Sequence, residues 1–275
     1  MGKKRLERLA IHLVLVAGGI LMVFPFLWMV STSLKYPDEV FSYPPRWFPS
    51  KPNWGNYIKA WNSAPFGRFF FNSVLTSGAV TLAQLVTCSM AAYAFARMRF
   101  PGREALFVAF LGTMMIPHQV TMIPNYIILS KLGWIDTYYA LIVPFTAGAF
   151  GIFLLRQFFL TIPKELEEAA RIDGCSYLRF LVSIMLPLSR PALSALALFT
   201  FMREWNSYMW PLVVTNSTNM RTLQVGLRFF ISQEGGDLGH LLMAASMIAT
   251  VPVLIVFFLA QKQLIEAMTA AGLKG

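Results

Sequence analysis

Few side chains in this 275-residue sequence are equipped for chemistry, and their spacing decides which chemistry is open to them. The histidines His12, His118 and His240 lie in separate segments with no Cys or carboxylate at metal-ligand spacing, so no metal site is expected. No GxxxxGK loop followed by Ser or Thr occurs, which excludes ATP binding through a P-loop. Carboxylates cluster once, in ELEEAARIDG from Glu165 to Gly174. A lipid-modifying enzyme would use such a cluster to hold Mg through oxygen ligands. Here Lys164, Arg171 and the positive end of a helix already account for the acids. The second concentration of charge is Arg203 and Glu204, inside the apolar FTFMREWNSYMWPL.

The elements that position these residues are membrane spans. Of the chain, 56% is hydrophobic and 13% charged, far from the roughly 25% charged of a soluble domain. The net charge of +10 comes without a basic stripe on a polar helix surface, so nucleic acid is not the expected partner. A helix needs about 20 apolar residues to cross roughly 30 Å of hydrocarbon. Six stretches approach that length: Leu9 to Ser33, Phe70 to Phe95, Ala105 to Ile127, Tyr139 to Leu160, Ala192 to Val214 and Leu241 to Gln261. The first has a basic start, but its apolar run is too long for a signal peptide, so it reads as a retained span. Cys88 lies in an apolar run and Cys175 in the charged insert, which argues against a disulfide.

Basic residues set the orientation. Lys3, Lys4, Arg5 and Arg8 precede span 1, Arg97, Arg99 and Arg103 join spans 2 and 3, and Arg156, Lys164, Arg171, Arg179 and Arg190 lie at or in the 161–190 connection between spans 4 and 5. Short basic flanks face the cytoplasm, so both termini are expected there. The 35–69 loop also carries cations, but its PPRWFPSKPNW segment suits an ordered interfacial cover. Pro25, Pro117, Pro144, Pro211 and Pro252 lie in or beside spans, each removing a backbone donor, and suit either a mobile pathway or ordinary membrane packing.

Within the insert, Pro163 can start a helix and Gly174 can stop it as a left-handed cap. Lys164 with Glu168 and Glu167 with Arg171 stand four apart and can pair across the solvated side, while Leu166, Ala169 and Ala170 form the other. A bland cytoplasmic hairpin and a docking knob both fit, the second because two alanines permit close approach. Arg203 and Glu204 are costly at a bilayer centre, roughly 2.5 to 3.5 kcal/mol each. As neighbours they point about 100° apart, so partners on other helices or in a watery cavity are expected. With Trp205, Asn206, Tyr208 and Trp210 they could receive a sugar ring, or else serve as interface anchors and a structural pair with a partner. In span 2, Ser73, Ser77, Thr81, Gln84 and Cys88 make a weakly polar stripe that reads equally as helix packing or as a pathway lining.

A resemblance narrows these choices. Glu168, Ala169, Ala170, three residues, Gly174, nine residues, Ile184, one residue, Leu186 and Pro187 resemble the EAA signature of permease subunits of binding-protein-dependent ABC importers. PFGRFFFNS, AAYAFARMRFPGR, IPNYIILSKLG, FGIFLLRQFFLTIP and WNSYMWPLV extend the likeness over nearly the whole chain, toward the carbohydrate-uptake branch and its maltose-type second permease. The resemblance implies an all-α polytopic fold of six transmembrane helices, the type I importer fold, as one permease domain. It implies a cytoplasmic coupling helix between spans 4 and 5 that meets an ATPase through Glu168, Ala169, Ala170, Arg171, Asp173 and Gly174. The AAGLKG tail resembles the family's tail, which extends toward the ATPase pair. A second homologous permease, two ATPase subunits carrying ATP and Mg, an extracytoplasmic binding protein and membrane lipid are the implied partners. This chain needs no cofactor and is not expected to be an enzyme. Gln84, Arg203, Glu204, Trp205, Asn206 and Tyr208 are the candidate pathway residues, for a sugar or a polyol phosphate such as glycerol 3-phosphate. The rival reading, an ion-coupled secondary carrier, would favour buried ionisable groups and repeated halves, and no repeat is visible.

Overall fold

The computed structural model describes residues 2–231 and 238–272, with the side chains of 7–231 and 238–262. The side chains of the AAGLKG tail and of Lys3, Lys4 and Arg5 lie outside the described residues. Every regular element among those described is a helix. Four helices are long and apolar enough to cross a bilayer: Glu7–Ser33, Phe66–Arg97, Tyr138–Thr161 and Gly239–Lys262. Two bent pairs raise this to six if each pair is one span.

Bends and breaks interrupt the helices at spans 3 and 5, beside the prolines that favour kinks. Span 3 consists of Arg103–Thr113 and His118–Lys131, turned by 98°. Pro117 sits at the turn, where it lacks an N–H and pushes Ile116 out of helical geometry. Arg190–Trp205 is bent by 83° from Tyr177–Leu188, so the second half of the insert leads directly into the apolar helix. Span 5 then breaks after Trp205 and resumes as Met209–Val214. Pro211 falls in the first turn of the resumed helix, where its missing donor costs nothing; a continuous helix would lose a bond there. A π turn, Leu181–Met185, precedes Pro187 for a related reason.

The chain divides into two compact units, residues 1–66 with 226–251 and residues 67–225 with 252–275. In the first, the long loop folds around buried charge. Lys35 is fully buried, donating Nζ to the Arg46 carbonyl at 2.6 Å and lying 4.1 Å over the Trp28 ring. Desolvation pushes its pKa down, and Glu39 opposes that shift. Trp47 packs edge-on against Phe24 and Trp28 and accepts a hydrogen bond from Ser31 at its carbonyl. Asn56 donates to the Ser33 and Lys35 carbonyls at 2.9 and 2.8 Å.

Glu39 accepts from the N–H groups of Ser50 (3.0 Å) and Tyr36 (3.2 Å). Hydrogen bonding from Ser50 leads in holding this carboxyl below the usual range; desolvation opposes it, and Tyr36 and the Arg46 charge assist. A depressed folded-state pKa gives stability that is present above the unfolded value and lost as pH falls through the folded one. Limited proteolysis across the acid range is expected to show the 35–66 loop opening as Glu39 protonates. Glu39→Gln should open it at neutral pH and remove that pH dependence.

In the second unit, span 2 packs on Ala149–Thr161 and Arg190–Trp205 around Cys88, Leu155, Phe159, Met185 and Leu196. Its polar stripe is consumed by this packing. Ser77 and Thr81 return their hydroxyls to the Ser73 and Ser77 carbonyls at 2.5 and 2.7 Å, and Ser73 Oγ accepts from the Leu223 N–H at 2.8 Å. Further along, Gln84 donates to the Phe145 carbonyl (2.8 Å), Thr87 to Thr146 (2.7 Å) and Cys88 to Gly148 (3.5 Å). These carbonyls belong to the break between Val143–Phe145 and Ala149–Thr161, so span 2 satisfies backbone groups that span 4 leaves open.

Candidate functional site

The charged insert forms the eight-residue helix Glu165–Ile172. Glu165, Glu167 and Glu168 occupy its first turn and Arg171 its last, each sign at the end that favours it. The stop is a Schellman arrangement: Gly174 at φ 77° donates to the Arg171 carbonyl (2.9 Å), and Cys175 donates to Ala170 (2.9 Å). A Cβ at Gly174 would meet nothing within 4 Å, so glycine is needed there for its backbone conformation alone.

One face of this helix is built into the chain. Ala170 is buried in the core cluster with Ile162 and Phe180, and Glu167 is buried beside it. Glu167 Oε1 accepts from Arg171 Nη2 at 2.8 Å and from Tyr93 Oη at 3.5 Å, and its Oε2 lies 4.0 Å from Arg97 Nε. Arg97 Nη2 also donates to the Phe159 carbonyl (2.7 Å) and to Ile162. The Arg171 guanidinium covers the Tyr177 ring at 4.2 Å, and its bond to Glu167 raises its pKa further. Lys164 and Glu168 do not pair with one another; with Arg99, Arg103 and Arg171 they line an open cleft of about 410 Å³. The other face is free of the chain: Glu168, Ala169, Asp173 and Gly174 are exposed, with Leu166 at 43% and Ile172 at 87%. The outer side of this eight-residue helix thus exposes two large aliphatics to solvent.

Further into the second unit, interrupted segments converge. His118, which opens the second half of span 3, lies 5.6 Å from the Phe145 ring and 6.1 Å from Trp210. Phe145 and Trp210 pack edge-on at 5.8 Å, and both border a small void with Glu204. Spans 3, 4 and 5 therefore bring their breaks to one place. Irregular backbone at membrane depth is tolerated where protein buries it or where it lines a watery cavity.

Residues 84–269 match the family of binding-protein-dependent transport system inner membrane components. The chain belongs to this permease family. It is 36% identical over 265 residues to the sn-glycerol-3-phosphate transport system permease protein UgpE of Yersinia enterocolitica, covering 94% of each. It is 35% identical to the probable ABC transporter permease protein YurM of Bacillus subtilis, covering 93% of this chain and 85% of that one. Its fold matches a crystal structure of a bacterial ABC transporter involved in import of the acidic polysaccharide alginate. There the TM-score is 0.86 at 24% identity, over 96% of this chain and 98% of that chain. A second alginate transporter structure, in complex with an alginate pentasaccharide-bound periplasmic protein, gives 0.63 at 15% identity. The permease is thus a multi-pass inner-membrane subunit of an ATP-binding-cassette importer, with the importer permease fold.

The structure separates the permease's candidate residues. At the insert, Glu168, Ala169, Arg171, Asp173 and Gly174 lie outward, whereas Ala170 faces the chain's own core. Small size at Ala170 serves internal packing. Among the candidate pathway residues, Arg203 and Glu204 pair with each other: Arg203 donates Nε and Nη2 to Glu204 Oε1 at 2.9 and 2.8 Å. The long arginine side chain curls across the 100° that separates neighbours. The Glu204 side chain is 9% exposed and that of Arg203 53%. Gln84 is held between Phe145 and Thr200, and Trp205 is buried against Phe70 and Phe201, so neither presents a free face. Asn206 is exposed at the break and donates to the Met202 carbonyl (2.8 Å), and Tyr208 is half-buried. Tyr93, Arg97 and Glu167 were missed as a set. The sequence signals the Glu167–Arg171 pair by its spacing of four, but places it on the solvated side, whereas Glu167 is buried; Arg97 is explained there by orientation alone.

Proposed function

We propose that this permease pairs with a second, homologous permease to enclose a translocation pathway, with two ATPase subunits beneath and a substrate-binding protein outside. Both termini and the Glu165–Ile172 helix face the cytoplasm. The observation that carries this reading is the division of that helix into an inner face fixed by Glu167 and Ala170 and an outer face of Leu166, Ala169 and Ile172 left open. Glu168, Ala169, Arg171, Asp173 and Gly174 meet the ATPase, while Ala170 holds the helix in place. ATP binding draws the ATPase subunits together, the helix carries that motion into the spans, and the pathway opens outward to take substrate. Hydrolysis resets it. ATP and Mg act on the ATPase subunits, and this chain catalyses no reaction.

The pathway passes the convergent breaks of spans 3, 4 and 5, with Arg203 and Asn206 as its exposed polar groups and Glu204 anchoring Arg203. The solute is a sugar or a polyol phosphate; the exposed guanidinium and the glycerol-phosphate relatives support the anionic choice. Proteoliposomes holding the complete importer and its binding protein are expected to accumulate radiolabelled sn-glycerol 3-phosphate only with ATP. Accumulation by the permeases without ATPase subunits, under an imposed ion gradient, would instead establish the secondary-carrier reading. For the solute, sn-glycerol 3-phosphate should raise the melting temperature of the cognate binding protein where a neutral disaccharide does not.

A further inference from the structure

We infer that Arg97 is a positioning residue that locks the Glu165–Ile172 helix to the ends of spans 2 and 4, so that the three move as one body. This rests on the coupling reading above. Arg97 ends the helix Phe66–Arg97, and its side chain is 3% exposed. One guanidinium nitrogen, Nη2, donates to the carbonyls of Phe159 and Ile162, where Ala149–Thr161 terminates. The Phe159 carbonyl already accepts from the Ile162 N–H at 3.3 Å, and both carbonyls lie at the negative end of the helix dipole, so the cation caps that end. A buried cation also needs a counter-charge, since leaving one partner of such a pair alone is strongly unfavourable. Glu167 supplies it from the insert helix, with its side chain 10% exposed and its Oε2 4.0 Å from Arg97 Nε.

The geometry of that contact matters. Arg97 Nε is buried and has no hydrogen-bond partner at this separation, and the nearby acid is Glu167. A buried donor is costly to leave unmade, so the Glu167 carboxylate is the group that must stay beside Arg97. Glu167 is oriented by Arg171 of its own helix at 2.8 Å and touched by Tyr93 of span 2 at 3.5 Å, so a displacement of the insert helix bears on span 2 through both Tyr93 and Arg97. A guanidinium is a rigid planar fork, and displacement at one edge is passed to the groups held at the other. Lysine has the charge without the fork.

Electron spin distance measurements on the complete importer test this directly. With Cys175 replaced by Ser, labels are placed at Glu165→Cys on the insert helix and Met90→Cys on span 2, both exposed. The expected result is one narrow distance, the same without nucleotide and with ATP and vanadate. Glu167→Gln and Arg97→Lys should broaden it and make it shift with nucleotide, while ATP hydrolysis continues with ATP-driven uptake lost. Tyr93→Phe removes a single hydroxyl and should broaden the distance less, and it carries the test if the charge variants fail to assemble. A parent distance that itself shifts with nucleotide, or variant distances as narrow as the parent's, would overturn the inference. Either result leaves the outer-face docking reading standing, since that reading fails only if changes at Ala169 leave coupling intact.

Discussion

Gly151→Leu is expected to abolish accumulation of folded permease in the membrane, and Gly151→Ala to lower its thermal midpoint. Gly151 lies in the first turn of Ala149–Thr161, where span 4 crosses span 2 and the Arg190–Trp205 helix. A Cβ at this position would stand 2.8 Å from Cys88 Sγ and 2.9 Å from Leu196 Cδ1. Both are ends of side chains that are fully buried, so any shift must be absorbed by the packed residues around them. Small-to-large changes in a packed interior cost about 1–3 kcal/mol, and in a bilayer close packing through small residues is itself a main source of helix association. The break at 146–148 makes the position more sensitive, since Gln84, Thr87 and Cys88 must stay within reach of its carbonyls. Cys88→Ala should restore part of the midpoint lost in Gly151→Ala by vacating the nearer contact. Thermal unfolding in detergent of the three variants checks this, and a Gly151→Leu protein that melts with the parent would show that the spans do not approach so closely.

What the sequence makes legible follows from how local each signal is. The apolar runs, the insert helix with its Pro163 start and Gly174 stop, and the EAA spacing are all contiguous features, and the family and importer fold follow from them. The bend in span 3 was half visible: Pro117 marks it, but a proline in a membrane helix is equally compatible with a mild kink. The facing of the insert helix was hidden for a different reason. Eight residues give barely two turns, so Ala169 and Ala170 look equivalent until Arg97 from span 2 and Phe180 from the next helix of the insert decide which face is inside. The same holds for Gln84. Its amide reads as a pathway group until the Phe145 carbonyl, opened by the break in span 4, claims it. Arg203 with Glu204 shows the limit of helical-wheel reasoning, because a long flexible side chain can cross the angle that its Cβ direction implies.

The facing of the two alanines makes them the sharpest probe of function. Ala169→Trp is expected to leave the permease folded and inserted, and to remove substrate-stimulated ATP hydrolysis and ATP-driven uptake together. Ala170→Trp should instead destabilise the permease itself, since Ala170 packs with Ile162 and Phe180 and has no space for an indole. Adjacent, identical residues would then fail for opposite reasons. Gly174 provides a graded companion series. Its φ of 77° costs roughly 1–2 kcal/mol for a residue with a Cβ, and no neighbour adds to that cost. Gly174→Asn should therefore be nearly silent and Gly174→Ala mildly impaired. Gly174→Pro should uncouple fully, because proline cannot reach a positive φ and removes the N–H that closes on Arg171. Copurification with the ATPase subunits, detergent melting and ATPase activity, measured side by side, separate loss of docking from loss of fold. If Ala169→Trp retained full stimulation, the outer face of Leu166, Ala169 and Ile172 would not be where ATP-driven motion enters the membrane.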